Sequence, residues 1–146
     1  MVQIITREWE ITKIFIFEVV MNEGVMKIDW NDFESNAQHS KPAVAVKVDE
    51  PLGISEMMDM AFEEMMKNLT GTLTSVIIII SYRLDQNIMM AELGGMNESL
   101  SRLSEEEVEI VWRIQEANDI TNDRSITVFA FEKLQTTKFF EQISTL

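Results

Sequence analysis

The run Val76-Ile77-Ile78-Ile79-Ile80 constrains the fold more than any other part of the chain. Every one of these side chains branches at Cβ, which stiffens χ1 and suits the pleated surface of a strand. None is polar, so neither face of that strand can be turned to water. Residues 74–82 are therefore expected as a strand in the middle of a sheet, with apolar layers on both sides.

One layer is easily found. Ile54, Met57, Met58, Ala61, Phe62, Met65, Met66 and Leu69 recur at three- and four-residue spacing, while Glu56, Asp59, Glu63 and Lys67 fall opposite, the pattern of an amphipathic helix. Methionines at this spacing read as core packing rather than as a partner-binding groove. Met89, Leu93, Met96, Leu100 and Leu103 repeat the pattern. A second amphipathic helix over 89–103 would tolerate Gly94 and Gly95 at a cost of about 1 kcal/mol each.

Further strands follow from alternation. Val44, Val46 and Val48 share one face of a short segment bounded by Pro42 and Pro51, as suits a strand near a sheet edge. Val108, Ile110, Trp112 and Ile114 alternate with Glu109, Val111 and Arg113, and Ile126, Val128 and Ala130 with Thr127, Phe129 and Phe131. The turn-forming residues 118–123 between them predict antiparallel neighbours.

Residues 3–22 stay open between strand, favoured by their Ile, Val and Phe, and helix, favoured by the stripe Trp9, Thr12, Ile16 and Val19. Gly24 would cap such a helix, and a short second helix would begin at Asp29. The expected order is helix, helix, strand, helix, strand, helix, strand, strand. This describes an α/β or α+β domain: a mixed four-stranded sheet packed with two main amphipathic helices, preceded by part of a core helix or a strand-like leader over 1–23 and followed by a tail over 135–146.

The chain has 146 residues, 46 % of them hydrophobic, which is enough for the core of one domain. Its 25 acidic against 12 basic residues give a net charge of −13, a field that repels phosphate backbones and anionic lipid, so neither nucleic acid nor membrane is an expected partner. No apolar run approaches the roughly 20 residues of a membrane span. The acid-bearing N-terminus does not read as a secretory signal, and a cytoplasmic location is expected. Without cysteine, a disulfide, a thiol nucleophile or a thiolate metal site is impossible. His39, the single histidine, falls in a polar loop and reads as solvated rather than catalytic. Glu105, Glu106, Glu107 and Glu109 read as a solvated turn rather than a hard-cation site.

Two carboxylates invite a functional reading. In Ile28-Asp29-Trp30-Asn31-Asp32-Phe33, Asp29 and Asp32 would lie on one face of a helix that starts there, with Cβ atoms about 5 to 6 Å apart. Asp at a helix start satisfies orphan N–H groups and complements the dipole. The same two groups can also work on water.

Several strings, in order, resemble the C-terminal half of the cell-division GTPases of the tubulin/FtsZ superfamily. In that family a core helix ends at glycine and enters a loop of pattern Asn-x-Asp-Φ-x-Asp-Φ, with Φ apolar. Here Gly24 precedes Lys27-Ile28-Asp29-Trp30-Asn31-Asp32-Phe33, with both aspartates in place and Lys27 standing for the asparagine. Thr70-Gly71-Thr72-Leu73-Thr74-Ser75 leading into the isoleucine run resembles the family's Leu-x-Gly-Ala strand entry. The segment from Met89, with Glu92, lies where the family places its next helix. Val108-Glu109-Ile110-Val111-Trp112 and Arg124-Ser125-Ile126-Thr127-Val128-Phe129-Ala130, joined through Asn122-Asp123, resemble its closing strand pair. The similarity covers about residues 19–131.

Departures accompany it. The family's glycine-rich nucleotide signature is not in the sequence, which begins about midway along what would be the core helix. Its Gly-x-Ala-x-Met-Gly strand is replaced by Pro42-Ala43-Val44-Ala45-Val46-Lys47, and residues 135–146 do not match its partner-binding peptide.

The resemblance implies that Asp29 and Asp32 enter the nucleotide pocket of a neighbouring subunit and orient the attacking water, with Lys27 near phosphate or the interface. Phosphoryl transfer is mostly positioning and electrostatics, so a carboxylate that holds water suits it. The implied protein is a non-catalytic domain that needs no cofactor or metal of its own. It would associate with a full-length FtsZ/tubulin-like GTPase or with itself, modulate polymer assembly, and act on GTP only in trans. The alternative is a small-ligand-binding or self-associating α/β module. Against ligand binding, Arg7, Arg83, Arg102, Arg113 and Arg124 are dispersed, and convergence of three of them on one pocket would reverse that preference.

Overall fold

A computed structural model describes residues 1–15, 40–104 and 108–133. Among them, strands β1 (Val2–Ile5), β2 (Ser40–Val48), β3 (Leu73–Tyr82), β4 (Glu109–Glu116) and β5 (Arg124–Lys133) form one sheet in the order β1-β2-β5-β3-β4. Among the same residues, three α-helices accompany it: α1 (Glu8–Phe15), α2 (Ile54–Asn68) and α3 (Met96–Ser104). The architecture is the expected mixed α+β sheet with helices packed on it, with one strand more than the sequence indicates.

The extra strand comes from the leader, which resolves into both alternatives in succession. Val2–Ile5 pairs antiparallel with β2, Ile4 opposite Val46, and Glu8–Phe15 then turns helical. Pro42 lies inside β2 at a register shift against β5, where the missing N–H does not interrupt a regular ladder.

Burial explains why the isoleucine run has no polar side. Val76, Ile78 and Ile80 point into a large cluster with Val44, Val46 and Val48 of β2, Ile126 and Val128 of β5, and Met57, Phe62 and Met65 of α2. Ile77 and Ile79 point the other way, into a smaller cluster with Ala45, Phe129, Phe131 and Ile11 of α1. Phe15 closes that side with edge-on contacts to Phe129 and Phe131 at 5.4 and 5.7 Å between ring centroids.

Three expectations are corrected. The chain's last two strands run antiparallel but are not neighbours: β4 pairs parallel with β3 at the sheet edge, and β5 inserts between β2 and β3. The central strand is therefore β5, with β3 beside it. Parallel neighbours need a long crossover, which residues 83–108 supply through α3, whereas β5 is drawn inward because Ile126, Val128, Phe129 and Phe131 leave it no wet face. The second amphipathic helix is also broken. A 3₁₀ turn at Met90–Leu93 ends at Gly94 and Gly95, and α3 starts afresh at Met96, leaving Met89 and Met90 exposed at the surface. Glycine suits position 95, since a Cβ would lie 3.0 Å from the Ser55 hydroxyl on α2, a contact that Ser55 would have to yield to. Within α2 the stripe holds, except that Met66 faces solvent.

Candidate functional site

Lys27, Asp29 and Asp32, with Gly24, His39 and Glu105 to Glu107, lie outside the described residues. What the described residues bring together is a polar cleft at one end of the sheet, where the loop after β2, the end of β3, the 3₁₀ turn and the β4–β5 loop meet. It has a volume of about 480 Å³ and is lined by Glu50, Leu52, Arg83, Glu92, Thr121 and Arg124 among others.

Asp49 fixes one wall. Its carboxylate accepts the backbone N–H groups of Thr121 and Asn122 at 2.8 and 2.9 Å, and the Asn122 side-chain amide at 3.0 Å. The Met1 ammonium donates to the Asp49 carbonyl at 2.8 Å and also reaches the Glu50 carboxylate. Burial pushes the Asp49 carboxyl up, but the bonds from Thr121 and Asn122 together outweigh it and hold the group below the ordinary range. The β4–β5 loop is thus fastened to the end of β2 by one carboxylate.

Arg124 fixes the other wall. Its Nε and Nη2 meet the two Glu92 oxygens at 2.9 and 3.0 Å, and its remaining N–H groups go to the carbonyls of Gln86, Asn87 and Asp123. All five guanidinium donors are thereby engaged within the chain. Arg124 is a clamp that ties residues 86–92 to the start of β5. The Glu92 carboxyl is held low, first by the hydrogen bond from Arg124, against the opposing effect of burial, and further by the Met89 N–H.

This limits the chemistry of the cleft. Arg83 is exposed and makes a long contact of 3.4 Å to the Thr121 carbonyl, whereas Arg124 has no donor left for a ligand. Arg113 is buried in β4 with its guanidinium on Gln115, and Arg7 pairs with Glu10 on α1. Of the four arginines whose side chains are described, two, Arg83 and Arg124, approach the cleft. Among the described residues the acids with displaced titration, Asp49 and Glu92, are both held in the ionised form, the opposite of what a proton donor needs. Among the described residues no group of three His, Asp or Glu is placed to hold a metal ion, and no helix is long and apolar enough to cross a membrane.

Sequence reasoning anticipated Asn122-Asp123 as a turn but missed Asp49 as its anchor and Glu92 as the partner of Arg124. Neither pairing leaves a local signal, since both join residues far apart in the chain.

No model of a known protein family matches the sequence, and no curated protein matches it. The fold does have solved counterparts. An empty FtsZ dimer from M. jannaschii superposes with a TM-score of 0.52 at 13 % identity, over 83 % of this chain and 35 % of that one. A W319Y mutant of M. jannaschii FtsZ gives 0.50 at 11 % identity, over 83 % and 36 %. The chain therefore has an FtsZ/tubulin-like fold of the C-terminal-domain type, and it spans about a third of the FtsZ chains it matches.

Proposed function

We propose that this chain is an FtsZ-like domain that associates with a GTPase polymer or its subunits, alters assembly, and supplies Asp29 and Asp32 to a nucleotide held by the neighbour. The observation that carries the reading is the extent of the likeness: 83 % of this chain is accounted for by about a third of an FtsZ chain. The cleft supports it indirectly, because the Arg124–Glu92 pair that lines it is engaged in holding loops rather than left for a substrate. On this reading the domain turns over no GTP by itself, and Lys27 sits near phosphate at the shared interface.

The test mixes the purified chain with a full-length FtsZ-type GTPase from the same genome, following GTP hydrolysis and filament length together. A change in either is expected, and the Asp29→Ala, Asp32→Ala double variant should still bind but lose its effect on hydrolysis. Unchanged turnover and unchanged filaments would sink the proposal and leave a ligand-binding or self-associating module in its place.

A further inference from the structure

The two edges of the sheet are unlike. β1 is a four-residue strand whose Val2, Gln3 and Ile4 are exposed, and an edge that short offers little to a partner. β4 is eight residues long, contains no proline, glycine or lysine, and pairs among the described residues with β3 alone. Its outer row of N–H and C=O groups is a template for another strand. Trp112 in its middle is only partly buried, although it packs against the larger apolar cluster.

We propose that β4 pairs with β4 of a second copy of this chain, antiparallel about a two-fold axis at Trp112, so that two five-stranded sheets become one continuous sheet. A two-fold axis perpendicular to the sheet keeps each face on its own side, so only residues of the same face can stand opposite one another. Two such registers overlap most of the strand. One, centred on Arg113, sets two guanidinium groups face to face and Glu116 against Ile110. The other, centred on Trp112, sets Trp112 against its own copy and Ile110 against Ile114 on the α2 side. On the α1 side it sets Val111 against Arg113 and Glu109 against Gln115. This second register places no like charges opposite each other and joins aromatic and β-branched pairs, which stabilise antiparallel strands.

Arg113 does not prevent this. An inward-pointing charge usually guards an edge because pairing would bury it, but Arg113 is 3 % exposed within the single chain and already bonded to Gln115 at 2.8 Å. Pairing adds little to a desolvation already made. The opposing force is global, since each copy carries −13, so association must strengthen as salt screens that repulsion. The contact needs no GTPase and does not rest on the function proposed above.

Sedimentation over a range of concentration and salt tests it. A dimer that tightens with added salt is expected. Trp112→Lys, which sets two ammonium groups opposite each other, should give a folded monomer by circular dichroism, whereas Ile4→Lys on the other edge should leave the dimer intact. Because the chain has no cysteine, Trp112→Cys provides a second readout. It should form a disulfide-linked dimer under mild oxidation, and Gln3→Cys on β1 should not. A wild-type monomer at every concentration and salt, a dimer that Trp112→Lys leaves untouched, or cross-linking through Gln3→Cys in place of Trp112→Cys would each overturn the proposal.

Discussion

The apolar layer between the sheet and α2 and the polar end where the loops meet hold the same sheet by different means. In the first, side chains such as Ile78, Val128 and Met57 are fully buried, and each contributes through area removed from water with no demand on a particular partner. In the second, position depends on a few charged atoms. Asp49 holds the β4–β5 loop, and Arg124 holds the segment before α3, through bonds that need both partners at fixed distances. The difference teaches that stability and geometry are set in different places. The core decides whether the sheet forms, while the polar end decides where its loops stand.

The strongest way to break this comparison is to truncate the core. Ile78→Ala should cost about 2 to 5 kcal/mol in denaturant unfolding, because a fully buried β-branched side chain leaves a cavity between two covered layers. Its effect should be the same at pH 7 and pH 4, since no charge is involved. Asp49→Ala comes next, at about 1 to 3 kcal/mol, because the Thr121 and Asn122 N–H groups lose their acceptor.

Acid separates the two regions. The folded Asp49 carboxyl lies below its ordinary value, so its contribution is complete above the unfolded value of about 3.9 and disappears as the pH falls through the folded one. The gap in stability between wild type and Asp49→Asn should therefore shrink below about pH 4. A gap that stays constant there would show that the loop is held by something other than this charge. The smallest effect is expected at the clamp. A double-mutant cycle on Glu92→Gln and Arg124→Lys should give a coupling of about 1 kcal/mol, as the pair is partly open to water. A coupling near zero would assign the placement of residues 86–92 to the Gln86 and Asn87 carbonyls that Arg124 also binds.

The same contrast explains what could be read from sequence. The isoleucine run, the α2 stripe and the alternation of β2, β4 and β5 are local patterns, and each appears as expected because burial acts on period. Strand order is not local. Residues 118–123 look like a hairpin connection, yet β5 takes the place between β2 and β3 that its two apolar faces require. The leader was ambiguous because it holds a strand and a helix back to back, and the close approach of Gly95 to Ser55 beside the helix break is a tertiary contact that no sequence window contains. Asp29 and Asp32 rest on a motif and lie outside the described residues, whereas Asp49, Glu92 and their partners could not be paired before the fold brought them together.

The position of β5 has a consequence for how the protein comes into being. It is the last of the described strands to be synthesised, and it is also the one that joins the other four. In the finished sheet β1 and β2 on one side, and β3 and β4 on the other, are connected only through β5. Pairings between residues as distant as Ser40 and Lys133 must then form together, which makes the closing step slow compared with a hairpin and leaves the growing chain prone to capture by foreign strands. β5 is the keystone of the sheet, the last described strand in sequence and the one on which the other four depend for their connection.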